Sequence, residues 1–209
     1  MLSLADGFAS SGPMFLRTIE RHSDRLTFLI EDLLVISKFE SGRAVLEIRA
    51  VELPVLVGQV LAALRPKAEA RAVALESKLP TSLTVRADAD RLEQVLTNLV
   101  DNPIKYGREG GCVIVGAEPV TTPTAGVDIF VRDDGPGIPP EACARVFERF
   151  FRVDRARSRE QGGTGLGLAI VKHIAQAHGG RAWVESQPGA GATFHILIPT
   201  AVEASPQTP

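Results

Sequence analysis

One predicted helix carries a polar face made of two amides and an amine. Positions i, i+4 and i+7 in the segment RLEQVLTNLVDNPIKYG (91–107) are occupied by Asn98, Asn102 and Lys105, so these side chains share one side of a helix. The opposite side is apolar and consists of Leu92, Val95, Leu96, Leu99 and Ile104. Such a helix packs by its apolar face and can hold a ligand by its polar one. Pro103 is unexpected there, because proline inside a helix costs roughly 3 kcal/mol.

Two glycine clusters follow this helix. The first, DDGPGI (133–138), comes directly off a β-rich run, so Asp133 is placed at a strand end, where its carboxylate can accept a hydrogen bond from an exocyclic amine such as that of adenine. The second, GGTGLGLAI (162–170), runs into a helix, and free N–H groups at a helix start bind phosphate well. Taken alone, the first cluster is more typical of a plain turn, and the second is equally compatible with a flexible loop and a helix cap. The second lacks the G-K-[ST] of a P-loop and the βαβ unit of a dinucleotide fold.

A segment rich in arginine and phenylalanine, FERFFRVDRARSREQGG (147–163), connects the two clusters. This composition predicts a mobile basic flap that closes over phosphates, although for any single arginine a solvated charged loop explains it as well.

The composition of the whole chain is that of a soluble globular protein. It has 209 residues, of which 44% are hydrophobic and 23% charged, with a formal net charge of −2. The charge provides no basic footprint, so nucleic acid is not an expected partner. Cys112 and Cys143 lack metal-ligand spacing and are expected to be reduced. No apolar run reaches the roughly 20 residues that span a bilayer, and no signal peptide is predicted, so a cytoplasmic location is expected.

The predicted elements indicate an α+β fold. An a/d seam from Phe15 to Ile36 predicts a helix that requires a helical partner and ends at Ser41 and Gly42. Strands are predicted at 44–53, 83–88, 112–120, 127–135, 180–186 and 191–199, and helices at 53–73, 91–107 and 166–177. Asp88 or Asp90 is the expected cap of the asparagine helix. The fold class is therefore a two-layer sandwich, in which helices cover one face of a mixed, mostly antiparallel sheet.

In this order, the motifs resemble the ATP-binding catalytic domain of sensor histidine kinases in the GHKL superfamily, most closely the phosphate-sensing type. The N box is NLVDNPIKYG, the G1 box DDGPGI, the F box FERFF and the G2 box GGTGLGLAI. The resemblance implies three regions: the second helix of a dimerisation hairpin (1–43), the catalytic domain (44–200) and a disordered tail (201–209).

The resemblance also implies a role for each matched residue. Asn102 would coordinate Mg²⁺ on the phosphates of ATP, with Asn98 nearby and Lys105 near a phosphate. Tyr106 would lie along the adenine or ribose, and Asp133 would take the adenine amine with help from Thr193. Arg152, and with it Arg155, would close from the lid. The remaining binding residues implied by the boxes are Gly135, Gly137, Ile138, Gly163, Thr164, Gly165, Leu166 and Gly167.

The residue at position 98 separates the reactions of the superfamily. Members that hydrolyse ATP place a glutamate four residues before the metal-binding asparagine, where this chain has Asn98, and an amide cannot act as the base. The resemblance therefore implies transfer of the γ-phosphate to a histidine with little hydrolysis. It implies as partners a response regulator and a second copy that pairs through the N-terminal helix. A longer parent protein could be membrane-anchored.

Two departures from the family pattern keep alternatives open. The sequence has no H-E/D-x-x-T/N-P motif, and His22 sits at a seam position, so the phosphoacceptor is expected on another chain or a missing segment. Pro103 stands where the family usually has alanine, and it disfavours α geometry at Asn102. A nucleotide-binding regulatory module without kinase activity, or an anti-sigma-type serine kinase, would share most of the motifs.

Overall fold

Helices alternate with short strands along the described part of the chain. The computed structural model describes residues 16, 19, 23, 26, 27, 29–121, 124–153 and 163–200. The helices are α1 (29–40), α2 (Leu53–Glu69), α3 (Ala89–Tyr106), α4 (Pro140–Cys143) and α5 (Gly167–Ala177). The strands are β1 (Arg49–Glu52), β2 (Ala74–Lys78), β3 (Thr84–Ala87), β4 (Cys112–Val120), β5 (Gly126–Asp133), β6 (Arg181–Ser186) and β7 (Ala192–Pro199).

The main sheet has five strands in the order β2-β4-β5-β7-β6, and β1 pairs separately with β3. Only the β2–β4 pair is parallel among the pairings described. One sheet face packs against α2, α3 and α5, and its inward side chains are buried because strand residues alternate between faces. These include Val113, Val115, Ile129, Val131, Phe194 and Ile196. The predicted α+β sandwich with a mostly antiparallel sheet is therefore confirmed.

Most predicted elements are present with shorter bounds. The strand predicted at 44–53 is reduced to β1, and the helix predicted at 53–73 ends at Glu69. Strand β2 was missed, because its mostly exposed residues show no apolar alternation. The predicted helix stop is confirmed by Gly42, which has a φ of 66°. The predicted tail (201–209) lies outside the described residues.

The asparagine helix α3 forms as predicted. Leu92, Val95, Leu96, Leu99 and Ile104 are all at most 2% exposed. Its N-cap is Asp88, whose carboxylate accepts a hydrogen bond from the Arg91 N–H at 3.1 Å. Pro103 does not end the helix, which continues to Tyr106.

Helix α1 packs partly on the core of the α+β fold, which the seam did not predict. Ile36 is fully buried in the main core, with Leu29 and Phe39 packed against it. Other apolar side chains of the helical segment remain exposed: Leu16, Ile19, Leu26, Ile30, Leu33 and Leu34. The expectation that all the seam positions lack a partner within the chain is thus wrong for Leu29 and Ile36. Phe15 and His22 lie outside the described residues.

Buried His178 joins α5 to the start of α3. Its Nδ1 lies 2.8 Å from the Ile174 carbonyl oxygen, and its Nε2 accepts the Asp88 N–H at 3.0 Å. This geometry requires the neutral tautomer with its proton on Nδ1. Burial lowers the pKa of His178 from its ordinary value of 6.5.

We expect the free energy of unfolding to decrease as the pH falls below about 6.5. His178 then takes up a proton in the unfolded chain, whereas in the folded chain its lowered pKa keeps it neutral. The loss between pH 7.5 and 5.5 should be on the order of 1 kcal/mol. Urea unfolding at both pH values would measure it, with His178→Gln as the variant that lacks this titration. Parallel pH profiles for the two proteins would contradict the assignment.

Candidate functional site

The polar face of α3 meets the start of α5. Asn98 Nδ2 donates to the carbonyl oxygen of Gly167 at 3.3 Å, and a Cβ added to Gly167 would lie 3.4 Å from Asn98 Oδ1. A Cβ would therefore still fit at this position, and the contact between the helices is made by the Asn98 hydrogen bond. The structure thus brings the N-box and G2-box residues together. Asn102 lies one turn further along α3 and is half-buried.

Lys105 is held in an i,i+4 ion pair with Asp101, a spacing visible in the sequence that the motifs did not draw attention to. Its Nζ contacts Asp101, which also accepts from Lys67 Nζ at 3.3 Å. The Asp101 side chain is 14% exposed and that of Lys105 37%. The ammonium of Lys105 is therefore oriented by Asp101, yet it remains accessible to an anionic ligand. Tyr106, the next residue, is half-buried.

Asp133 ends β5 and faces the C-terminal end of α3. Its Oδ1 accepts the Gly135 N–H at 2.8 Å, and burial raises the pKa of its carboxyl group. A shallow pocket beside it, with no room for a water molecule in this structure, is lined by Val73, Pro103, Gly107 and Gly135. A Cβ on Gly135 would approach Asp133 Oδ1 to 2.7 Å, so only glycine leaves this carboxylate undisturbed. The pocket thus combines one partly buried carboxylate with close backbone.

The rest of the G1 box is fixed by the β6–β7 connection. Gly137 has a φ of 70°, and a Cβ there would lie 2.0 Å from the Gln187 carbonyl oxygen. The N–H of Ile138 donates to Ser186 Oγ at 2.8 Å, and Ser186 Oγ donates to the Gly191 carbonyl at 2.6 Å. Ser186 therefore anchors the loop, although no sequence motif marks it.

Residues of the F box, and Arg152 directly after it, form hydrogen bonds with the G2 loop, which precedes α5 and includes Gly163 and Gly165. Gly165 has a φ of 76°, and its carbonyl accepts the N–H of Phe150 at 2.8 Å. Phe150 also has a positive φ, 60°, which is costly for a bulky residue and indicates that the loop is held firmly by its surroundings. The Arg152 guanidinium donates to the Gly163 carbonyl. Gly163, Gly165 and Arg152 are thus brought together as predicted.

Thr164 and Leu166 have roles within the loop itself. The Leu166 N–H donates to Thr164 Oγ1 at 3.2 Å, so this amide is already paired in the structure. Leu166 is fully buried and caps α5. Thr164 Oγ1 in turn donates to Asp32 Oδ2 of α1 at 3.2 Å, and burial raises the pKa of Asp32.

A second contact also joins α1 to the F box. Glu40 pairs with Arg149, and its Oε1 lies 3.7 Å from His173 Nε2. Both contacts of α1 with the site were missed from the sequence, because the partners lie on elements far apart in the chain.

The arginines predicted to form a lid are only partly described. Arg145 pairs with Glu148 at 3.2 Å and lies over the Phe151 ring. Arg155 and the segment 154–162 lie outside the described residues, so closure of a flap stays a prediction.

The strand register contradicts the predicted place of Thr193. Asp133 pairs with Ala192, and Arg132 pairs with Thr193. Because neighbouring strand residues point to opposite faces, Thr193 lies on the sheet face away from Asp133, where Arg132 Nε donates to its Oγ1 at 3.3 Å. The prediction that Thr193 assists Asp133 is therefore wrong. The residue of β7 beside Asp133 is Ala192.

The site fits a metal only together with an anionic ligand. Among the described residues, no group of three or more His, Cys, Asp or Glu side chains is arranged to hold a metal ion. Asn102 can offer one amide oxygen, and Mg²⁺ commonly takes few protein oxygens together with substrate phosphates and water. The donor set therefore suits a metal that arrives with a nucleotide.

Comparison with known families identifies the fold. Residues 87–202 match the model of the family described as histidine kinase-, DNA gyrase B-, and HSP90-like ATPase, which is more than half of the chain. The chain belongs to this family. None of its described helices is long and apolar enough to cross a membrane.

Relatives with similar sequences are sensor histidine kinases. The chain is 36% identical over 187 residues to sensor histidine kinase WalK of Bacillus subtilis, covering 90% of this chain and 30% of WalK. It is 37% identical over 182 residues to SenX3 of Mycobacterium bovis, covering 87% of this chain and 44% of SenX3. The chain thus spans less than half the length of these curated relatives.

Solved structures of histidine kinases share the fold. The Acinetobacter baumannii histidine kinase AdeS aligns with a TM-score of 0.76 at 28% identity, covering 90% of this chain and 85% of that one. Full-length ShkA, solved in complex with AMPPNP, aligns with a TM-score of 0.79 at 31% identity, covering 94% of this chain and 40% of ShkA. The histidine kinase ThkA, solved in complex with response regulator protein TrrA, aligns with a TM-score of 0.69 at 28% identity, covering 90% of this chain and 51% of ThkA.

Proposed function

We propose that the chain is the ATP-binding catalytic part of a sensor histidine kinase, which transfers the γ-phosphoryl group of ATP to a histidine. The observation that carries the proposal is the convergence of α3, the G1 loop and the G2 loop. Asp133 lies beside the pocket at the C-terminal end of α3, while the polar face of α3 with Asn98, Asn102 and Lys105 meets the start of α5 at Asn98. That distribution of charge matches a nucleotide, with its neutral base and anionic phosphates.

The adenine, the phosphates and the metal of Mg²⁺–ATP would each contact a different part of the site. The Asp133 carboxylate would accept the adenine amine beside Pro103, Gly107 and Gly135, where the shallow pocket must widen to admit the base. Lys105, steered by Asp101, places a positive charge near the phosphates. The start of α5 at Gly167 directs its N–H groups to the same anion. Asn102 would hold Mg²⁺, which supplies neutralisation of the phosphate charge.

The reaction would be transfer rather than hydrolysis. The imidazole nitrogen of an acceptor histidine forms the new P–N bond as the bond from the γ-phosphorus to ADP breaks, and ADP takes the electron pair. Asn98 donates to Gly167 and, as an amide, has no basicity with which to activate water. Positioning and charge neutralisation account for most catalysis of this type.

The acceptor histidine is proposed to lie on another chain or segment. Of the three described histidines, His178 is buried between α3 and α5, His173 lies 3.7 Å from Glu40 of α1, and His195 faces Asp128 at 2.9 Å on the outer side of the sheet. A response regulator is the proposed final recipient, in line with the complex of ThkA with TrrA.

The activity can be tested by adding a separate hairpin fragment that carries an acceptor histidine, together with γ-labelled ATP. An acid-labile label on the fragment supports histidine transfer, whereas an acid-stable label indicates an anti-sigma-type serine kinase. Bound ATP without any label would favour a regulatory module, the second candidate, for which Pro103 beside Asn102 is the specific observation. The chain alone should show no stable self-phosphorylation, and a label lost on His22→Ala would contradict this.

We also propose self-association through the exposed apolar residues of the N-terminal helical segment. Leu26 and Leu33 are 60% and 47% exposed, which favours burial against a second copy. Leu26→Glu combined with Leu33→Glu should give monomers in light scattering, while the exposed polar control Lys38→Glu should not. A native chain that is monomeric at high concentration would contradict the proposal.

A further inference from the structure

The Arg71 side chain caps the C-terminal end of α3. One guanidinium nitrogen, Nη1, donates to the Ile104 carbonyl at 2.7 Å and also to the Lys105 carbonyl. The other, Nη2, lies 3.4 Å from the Gly107 carbonyl. The last four carbonyls of a helix lack partners within it, so Arg71 satisfies two of these in α3 and contacts the residue that follows.

The backbone around Arg71 is held on both sides. Its N–H donates to the Ala68 carbonyl at 3.0 Å, and its carbonyl accepts the Gly110 N–H at 3.1 Å. The next residue, Ala72, has a positive φ of 52°, which turns the chain from α2 into β2. The guanidinium therefore projects from a fixed support rather than from a freely moving loop.

The segment that Arg71 holds carries much of the proposed site. Asn102 and Lys105 lie in the last turns of α3, and Gly107 lines the pocket beside Asp133. The turn is also weakened from within, because Pro103 has no N–H to donate to the Leu99 carbonyl. The end of α3 thus lacks one hydrogen bond of its own, at Pro103, and the next two residues receive hydrogen bonds from Arg71 instead.

We infer that Arg71 is a positioning residue of the nucleotide site, which holds the end of α3 so that Asn102 and Lys105 meet the phosphates and metal of Mg²⁺–ATP. The inference rests on the proposed function. Arginine suits this role because its planar fork reaches several carbonyls at once, whereas lysine offers a single point charge. A positive charge at a helix C-terminus is also favourable in itself.

The test is calorimetric titration of the full chain with Mg²⁺–ATP and with adenosine. Arg71→Gln should weaken binding of Mg²⁺–ATP about tenfold and binding of adenosine less than twofold. Asp133 lies on a separate strand, and the contact of Arg71 with Gly107, at 3.4 Å, is longer than its 2.7 Å hydrogen bond to Ile104. Arg71→Lys should recover part of the loss. The control Arg65→Gln removes an exposed arginine of α2 and should change neither affinity.

Pro103→Ala tests the mechanism. It restores the missing N–H and should stabilise the fold by less than the roughly 3 kcal/mol of a mid-helix proline, because the site is near the helix end. It should also tighten Mg²⁺–ATP binding and reduce the effect of Arg71→Gln to about threefold, because the turn then depends less on the arginine. Equal losses in both backgrounds would overturn the link between the two residues.

Several results separate the inference from the proposed function. Wild-type chain that binds neither ligand would overturn both. Wild-type binding with an unchanged Arg71→Gln, or an equal loss for Mg²⁺–ATP and adenosine, would overturn the inference alone. If Arg71→Gln does not fold, the nuclear magnetic resonance signal of the Asn102 side-chain amide in Arg71→Lys decides. A shift with lost Mg²⁺–ATP affinity supports positioning, and an unchanged signal overturns it.

Discussion

Asp133→Asn is expected to weaken ATP binding by roughly 30- to 100-fold, both with and without Mg²⁺, the range expected for a hydrogen bond to a charged group. In the proposed pose, the adenine amine donates to the Asp133 carboxylate. Asparagine keeps the oxygen that accepts the Gly135 N–H, but it loses the charge and presents an amide donor to another donor. Fold stability should therefore change much less than affinity.

Calorimetric titration in magnesium-containing and magnesium-free buffer would measure both affinities. Asp128→Asn is the matched control, because Asp128 lies on the same strand but faces His195 on the other side of the sheet. It should leave ATP affinity unchanged even where it lowers stability. Native affinity in Asp133→Asn would show that adenine binds elsewhere.

Asn102→Ala is expected to abolish most of the contribution of Mg²⁺ to ATP binding, with a loss of about 100-fold for Mg²⁺–ATP. Removing the amide removes the one protein oxygen assigned to the metal, whereas the adenine pocket at Asp133 is untouched. Magnesium-free affinity should therefore stay close to that of the native chain.

The two variants should differ in how their loss of ATP affinity depends on Mg²⁺. Asp133→Asn reduces affinity in both buffers, and Asn102→Ala reduces it only when Mg²⁺ is present. Glu93→Ala, an exposed change on the same helix, is the control for α3. An Asn102→Ala chain that responds to Mg²⁺ like the native one would remove Asn102 from the metal site.

The parts of the site that were predictable from the sequence are local. The spacing of Asn98, Asn102 and Lys105 follows from helical geometry alone, and the buried face opposite them confirms that helix. The glycines of the G1 and G2 boxes were recognisable because Gly137 and Gly165 adopt positive φ angles that other residues rarely take.

The parts that could not be predicted depend on contacts between distant residues. Arg71 and Ile104 are 33 positions apart, Ile138 and Ser186 are 48 apart, and Thr164 and Asp32 are 132 apart. No periodicity within a segment encodes such pairs. Thr193 was misplaced for a different reason, since shifting a strand register by one residue moves a side chain to the opposite face.

The contact between Asp32 and Thr164 has a thermodynamic consequence for the proposed kinase. Thr164 belongs to the loop that would receive the phosphates, while Asp32 belongs to the helix whose exposed leucines are proposed to meet a second copy. Docking of α1 and occupancy of the nucleotide site are therefore two equilibria that share one hydrogen bond. By reciprocity, the factor by which a docked α1 alters nucleotide affinity equals the factor by which nucleotide alters the docking of α1. A change in the docking of α1 that breaks this hydrogen bond would then alter the dissociation constant for ATP.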